Sequence, residues 1–352
     1  MTATPSEGFA SDNQAGVHPE IMAALERVNI GHQASYGYDD VTAQLAATVR
    51  EEFGEKAEVF PVFNGTGANV MALTAAMPRW GAVIATETAH IHTDEGGAPE
   101  RVSGLKLLTS PPVEGKLTPE GLVAHTGGRG DEHHAQPLAV SITQSTELGT
   151  VYSPDEIAEL ASIAHDHGMV VHLDGARIWN AAASLGLPFR AFTTDVGVDL
   201  VSLGATKNGA MAAEAVIVIN PDVVEGMLYL RKFTMQLASK MRFISAQIQT
   251  LFDEGLGLRS ATHANQMATL LRRRLEDKIS SGEIQGLEFS QPTQANGVFA
   301  LMPNAAADAL RERVAFYDWD RSRGEVRWMC SFDTTEDDIT AFVGEISRAL
   351  QP

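Results

Sequence analysis

The chain has 352 residues, of which 44% are hydrophobic and 20% charged, and it carries a formal net charge of −19. That is enough apolar material for a large buried core, one large domain with a smaller one beside it, and it argues against disorder. So acidic a surface repels nucleic acid and anionic membranes, which leaves small molecules and other protein subunits as partners.

From about residue 57 short apolar runs alternate with longer amphipathic ones. AEVFPVF (57–63) predicts a strand, ANVMALTAAM (68–77) a helix and AVIAT (82–86) a second strand. The Gly- and His-rich stretch HTGGRGDEHH (125–134) predicts a surface loop, and LAVSIT (138–143) a third strand. The helix SPDEIAELASIAHDHG (153–168) has Ser153 as its cap, Pro154 at its first position and Glu156 to complete a capping box. MVVHLD (169–174), DLVSLG (199–204) and EAVIVI (214–219) predict three more strands. Strands alternating with helices imply a largely parallel sheet covered on both faces, with its chemistry at the carboxyl ends of the strands. Beyond residue 220 long helical patterns occupy 232–252 and 263–279. VFALM (298–302), a helix near 304–315, EVRWMCS (325–331) and a last helix after Thr334 predict a small α/β domain. The expected division is 1–250 for an N-terminal segment with the large domain, and 251–352 for the small C-terminal domain.

The lone cysteine, Cys330, cannot build a disulfide framework and reads as a buried structural thiol in a reducing compartment. The start, MTATPSEGFASDNQ, shows neither a basic region nor an apolar run, and no stretch approaches the ~20 apolar residues of a membrane helix. A cytoplasmic protein is the expectation.

Four segments carry candidate chemistry. FNGTGAN (63–69) stands between a strand and a helix, where Gly65, Thr66 and Gly67 let backbone approach an anion at a helix amino terminus. It lacks the GK[ST] of a Walker loop, and Val70 stands where a dinucleotide fingerprint needs its third glycine. Taken alone it is also compatible with an ordinary glycine turn. HLDGAR (172–177) ends a strand at Asp174, either a ligand-facing acid or a helix cap, with Arg177 three residues on and His172 as a satisfied core histidine. SLGATKNGA (202–210) sets Lys207 among small residues just past a strand, with room for a bulky group on its nitrogen. Partial burial would depress its pKa and make the amine nucleophilic, as a Schiff-base lysine requires. TAHIHTDEGG (88–97) alternates His90, His92 and Asp94, which on an extended segment would share one face as metal ligands, though nothing completes such a cluster. Alternatively the flat imidazole of His90 stacks on an aromatic cofactor. In this order a phosphate cup, a stacking histidine, a strand-end acid and a strand-end lysine together fit pyridoxal 5′-phosphate (PLP) and an amino-acid substrate. No metal site is expected.

These blocks, with YGYDD (36–40), HIHTDEGGAPE (90–100), GATKNG, RKFTMQLASKMR (231–242) and RWMCSFDTTEDDI (327–339), resemble the threonine aldolases of the fold-type-I PLP superfamily over almost the whole chain. The resemblance implies an aspartate aminotransferase-like α/β fold, with a mostly parallel central sheet in the large domain and a small C-terminal α/β domain. It implies cleavage of L-threonine, L-allo-threonine and related β-hydroxy-α-amino acids to glycine and an aldehyde. By position, Lys207 would carry the cofactor, Asp174 would partner its ring nitrogen, Gly65 and Thr66 would bind its phosphate, and His90 would stack on its ring. Arg177 would lie near the phenolate oxygen or the substrate carboxylate, and Arg327, helped by Ser11, would clamp that carboxylate. The family's site lies between subunits, so Tyr36 and Lys232 or Arg242 would reach a neighbour's cofactor in a homodimer at least, with a homotetramer as the fuller assembly. Thr146 stands where many relatives carry a second histidine, which leaves His90, or a water it holds, as the base. The alternatives are a phenylserine-preferring aldolase, another fold-type-I lyase or transaminase, a non-catalytic binding protein on this fold and, least in keeping with the glycine pattern, a Rossmann dehydrogenase.

Overall fold

The computed structural model describes residues 8–351. Among these residues eleven strands form two sheets. The first seven are β1 (Glu58–Val62), β2 (Gly81–Thr86), β3 (Lys106–Ser110), β4 (Gln136–Thr143), β5 (Val170–Gly175), β6 (Leu200–Gly204) and β7 (Glu214–Val218). They lie in the order β1-β7-β6-β5-β4-β2-β3. Neighbours from β6 to β3 are parallel, while β7 runs antiparallel to both β6 and β1. β2, β6 and β7 are buried along their whole length, as strands covered by helices on both faces must be. The second sheet is fully antiparallel and comprises β8 (Glu288–Phe289), β9 (Gly297–Leu301), β10 (Tyr317–Asp320) and β11 (Glu325–Met329), in the order β10-β11-β9-β8.

Each sheet has its own apolar core. The large one gathers side chains such as Leu45, Phe53, Ile84, Val140, Leu173 and Ile248. The small one is built around Trp328 and Phe342, edge to face at 5.4 Å, and it includes Phe9, stacked on Phe342 at 4.1 Å. The long helix Leu256–Ser280 belongs to both, with Leu256 and Ala261 in the first core and Leu271 and Leu275 in the second. Among the described residues no helix is long and apolar enough to cross a membrane.

Local signals hold where the pattern is strong. The helix Pro154–Asp166 begins with the full capping box of Ser153 and Glu156. His172 is fully buried between the hydroxyls of Ser141 and Ser202, each at 2.9 Å, and burial pushes its pKa down to about 4. Cys330 is buried, which raises its thiol pKa. Two expectations need correction. The pattern at 232–252 is not one helix but two, Met227–Phe233 and Arg242–Phe252, broken where Met235 takes a φ of 63°. Residues 90–93 are helical rather than extended, so His90, His92 and Asp94 do not share a strand face, and no metal-holding cluster is found among the described residues.

The functional edge depends on one close approach. A Cβ on Gly204 would lie 2.3 Å from the carbonyl oxygen of Ala176, and the Gly204 carbonyl accepts the Trp179 indole N–H at 2.9 Å. This lets the loop after β5 cross the end of β6, just before Lys207. Gly204→Ala should therefore destabilise the chain by about 1–3 kcal/mol, as overpacking does. Urea unfolding checks this, and an unchanged midpoint would contradict it.

Candidate active site

The carboxyl ends of β4, β5 and β6 and the start of the helix Gly65–Ala76 enclose an inner cavity of about 280 Å³. Gly65, Thr66, His90, Asp174, Arg177 and Lys207 all line it. An outer cleft adjoins it, lined by Ser11, His90, Arg177, Lys207 and Arg327. The chain thus brings together every expected cofactor and substrate residue except the across-interface candidates. Tyr36, Lys232 and Arg242 line neither space.

Lys207 sits in a single 3-10 turn, Thr206–Asn208, closed by Gly209 at a φ of 99°. Burial lowers its pKa, and the nearby charge of Arg177 lowers it further, so the amine is held toward its unprotonated, nucleophilic form. Glu214 lies beneath the turn and accepts the backbone N–H groups of Ala205 at 2.8 Å and Thr206 at 3.4 Å. Burial pushes the Glu214 pKa up to about 7.

Asp174 stands one residue before the end of β5, with its carboxylate buried. Oδ1 accepts the Ala176 N–H at 3.0 Å and Oδ2 accepts the Asn69 amide at 2.8 Å. The same Asn69 nitrogen donates to Glu95 Oε1 at 2.8 Å, and that oxygen also meets His90 Nδ1 at 2.9 Å. A hydrogen-bonded line thus runs from the imidazole to the strand-end acid. The backbone N–H of His90 is fixed by Glu147 Oε1 at 2.9 Å, which also accepts from Thr143 at 2.8 Å. Burial raises the Glu147 pKa.

Arg177 is gripped by Asp12 through two contacts, Nε to Oδ2 at 2.7 Å and Nη2 to Oδ1 at 2.9 Å. Burial alone would raise the Asp12 pKa, yet the charge and hydrogen bonds of Arg177, with Lys207 and Asn296 behind them, hold it below the usual carboxylate range. Arg327 crosses the outer cleft on β11. Its Nη2 meets the Ala10 carbonyl at 3.3 Å, and its guanidinium lies 5.8 Å from the Tyr317 ring and 5.5 Å from the Trp319 ring. Burial, and then the charge of Arg177, push its pKa down to about 10, so a carboxylate arriving there meets a poorly solvated cation.

At the helix start, Asn64 caps Gly67 N–H at 2.7 Å. The amides of Gly65 and Thr66, which a helix cannot satisfy internally, belong to residues lining the cavity. The donor set fits PLP: a buried strand-end carboxylate, a buried amine and an anion-binding helix terminus face one space, and the buried Asn69 Oδ1 has no partner.

Sequence reasoning missed Asn69, Glu95, Glu147, Glu214 and the pairing role of Asp12. A polar residue inside the apolar run ANVMALTAAM and an acid opening the apolar strand EAVIVI were the signals available for two of them.

The Beta-eliminating lyase family model matches residues 8–301. A low specificity L-threonine aldolase from Pseudomonas sp. (strain NCIMB 10558) is 43% identical over 347 residues, covering 98% of each chain. One from Pseudomonas aeruginosa is 40% identical over 346 residues, again covering 98% of each. A solved structure of Leishmania major threonine aldolase superposes with a TM-score of 0.89 at 30% identity, covering 97% of this chain and 99% of that one.

Removing the charge of Asp12 strands a buried guanidinium. Asp12→Asn should lower stability by about 3–5 kcal/mol, the cost of breaking a buried ion pair from one side. Equilibrium denaturation measures it, and a loss below about 1 kcal/mol would contradict the assignment.

Proposed function

This chain belongs to the beta-eliminating lyase family and, within it, to the low-specificity L-threonine aldolases of fold type I, and from that premise we propose how its site works. It is a carbon–carbon lyase that cleaves L-threonine and L-allo-threonine to glycine and an aldehyde. The observation that carries the reading is the convergence of Lys207 and Asp174 on one cavity, with Arg327 across the adjoining cleft.

When bound, PLP supplies an aldehyde that engages an amine and a cationic ring that accepts an electron pair from the amino acid's α-carbon. Lys207 offers the amine, and burial keeps it reactive. Asp174 is placed to hold the ring nitrogen protonated, while Asn69 and the Ala176 amide fix its carboxylate. Gly65 and Thr66 would offer amides and a helix dipole to the phosphate, and His90, which lines the same cavity, would cover the ring. Arg327, with Ser11 beside it, takes the substrate carboxylate and so fixes rotation about the N–Cα bond. By fixing that rotation, Arg327 would select which bond to the α-carbon is cleaved, and for this substrate class that is Cα–Cβ.

The division near residue 250 into a large and a small domain is part of the proposal, as is a second copy of the chain. Tyr36 stacks under Lys232 at 5.7 Å and hydrogen-bonds Ser239, which brings residues 35–38 against 229–241. Tyr38, Tyr229, Phe233 and Met235 are all at least 70% exposed there, an apolar patch unusual on a monomer. Gln236 reaches from this patch to Phe63 N–H at 2.9 Å, beside the phosphate end of the cavity. A homodimer covering the patch would bring Tyr36, Lys232 and Arg242 to the neighbour's cofactor, and a homotetramer would pair two such dimers. Tyr317 and Trp319, which flank Arg327, offer a phenylserine ring a place to pack.

Incubation with L-threonine should yield glycine and acetaldehyde in equal amounts, whereas pyruvate, ammonia or a keto acid would refute the aldolase reading. Arg327→Ala removes a charge-assisted contact worth about 1.5–3 kcal/mol, so kcat/KM for L-threonine should fall at least about tenfold. An unchanged value in steady-state kinetics would remove Arg327 from the carboxylate site.

A further inference from the structure

His90 is held at two points on opposite sides of its residue. Its backbone N–H is bound by Glu147 and its ring Nδ1 meets Glu95 Oε1, both at 2.9 Å. The Glu95 side chain is fully buried, whereas the His90 side chain is 38% exposed and lines both the inner cavity and the outer cleft. A carboxylate on Nδ1 commits that nitrogen to carrying the proton, as the partner of one imidazole nitrogen dictates the state of the other. Nε2 is then the nitrogen with a lone pair to offer. Glu95 Oε1 also accepts from Asn69, whose same amide nitrogen binds Asp174. The second oxygen, Oε2, is buried without a partner, so Glu95 has no competing contact to turn it away.

We propose that Glu95 is a positioning residue that fixes the tautomer and proton affinity of His90, leaving Nε2 as the proton-accepting nitrogen in the active-site cleft, and that Asn69 ties this dyad to Asp174. A proton accepted at Nε2 creates an imidazolium whose charge faces a buried carboxylate, and returning the proton restores the neutral ring. The bond broken is the O–H of the donor, whose electron pair stays on that oxygen, and within the protein no other group changes its bonding. The hydrogen bond to Glu95 raises the His90 pKa against the opposing effect of burial. The other charges facing this ring are Asp174, which supports its protonation, and Lys207, which opposes it. Glu147 touches only the backbone of His90, while Asp94 and Arg177 share the outer cleft. The inference rests on the aldolase reading only for which proton Nε2 takes, that of a substrate hydroxyl.

The test is 15N-resolved imidazole NMR of the full-length PLP-loaded protein, with His90 identified by its loss in His90→Asn. Wild type should show a proton on Nδ1 and none on Nε2 in the neutral form, and a pKa above the ordinary histidine value. In Glu95→Gln that pKa should drop by at least about one unit, and in Glu95→Asp by less. The acidic limb of the kcat profile in Glu95→Gln should move to lower pH with the NMR value, kcat should fall at least about tenfold, and bound PLP should remain stoichiometric. A neutral ring protonated at Nε2 in wild type overturns the proposal even where neither variant folds, as does a Glu95→Gln titration that matches wild type. If wild type leaves L-threonine intact while the titration shifts as expected, the aldolase reading fails and the dyad stands.

Discussion

The contact between Asp12 and Arg177 holds the site in register, because it joins parts of the chain that share no sheet. Asp12 comes from the N-terminal segment, and Arg177 from the loop that leaves β5 directly after Asp174. Asn296, at the edge of the small sheet, donates to Asp12 Oδ2 at 3.0 Å and to the Cys330 carbonyl at 2.8 Å. One buried carboxylate thus fastens the N-terminal segment, the large sheet and the small domain to each other. Phe9 strengthens the same junction, since its carbonyl accepts the Met329 N–H at 2.8 Å while its ring fills the small core. Arg327, two residues before Met329, is placed across the cleft as a consequence.

That carboxylate also balances charge. Lys207, Arg177 and Arg327 approach one another closely enough that Arg177 depresses the pKa of the other two. Left unpaired, three such cations would open the cleft to water. Asp12 offsets Arg177 and through space favours the charged form of Lys207, but burial and Arg177 outweigh it, so the amine is still held toward its nucleophilic form. The acids differ by environment. Asp174 has donors on both oxygens, and Glu147 and Glu214 are buried, which raises the proton affinity of those two glutamates.

Much of this was legible because strand ends and glycine turns are local signals. β1, β4, β5, β6 and β7 follow apolar runs of the right length, and Lys207, Asp174 and Gly65 stand at their carboxyl ends. β3 was not, since KLLTS is a half-buried edge strand with no clean alternation. The break at 234–241 was hidden for a different reason. Gln236 leaves the helical path to bind Phe63 N–H and pack against Gly67, a contact far away in sequence. Glu95, Glu147 and Asp12 were equally silent, because an acid's partner is set by the tertiary fold. Their neighbours in sequence look like ordinary turn residues. The alternation of His90, His92 and Asp94 misled because it presumes a strand, and the chain instead turns a helix there under the hold of Glu147.

The most direct measurement is peptide mapping of the protein after loading with PLP and reduction with borohydride, which fixes the cofactor to whichever amine holds it. Stoichiometric phosphopyridoxyl label on the peptide bearing Lys207, with none on Lys116, Lys232 or Lys240, is the expected result. Label on another lysine, or a Lys207 peptide recovered unmodified, would contradict the cofactor assignment from which the rest follows.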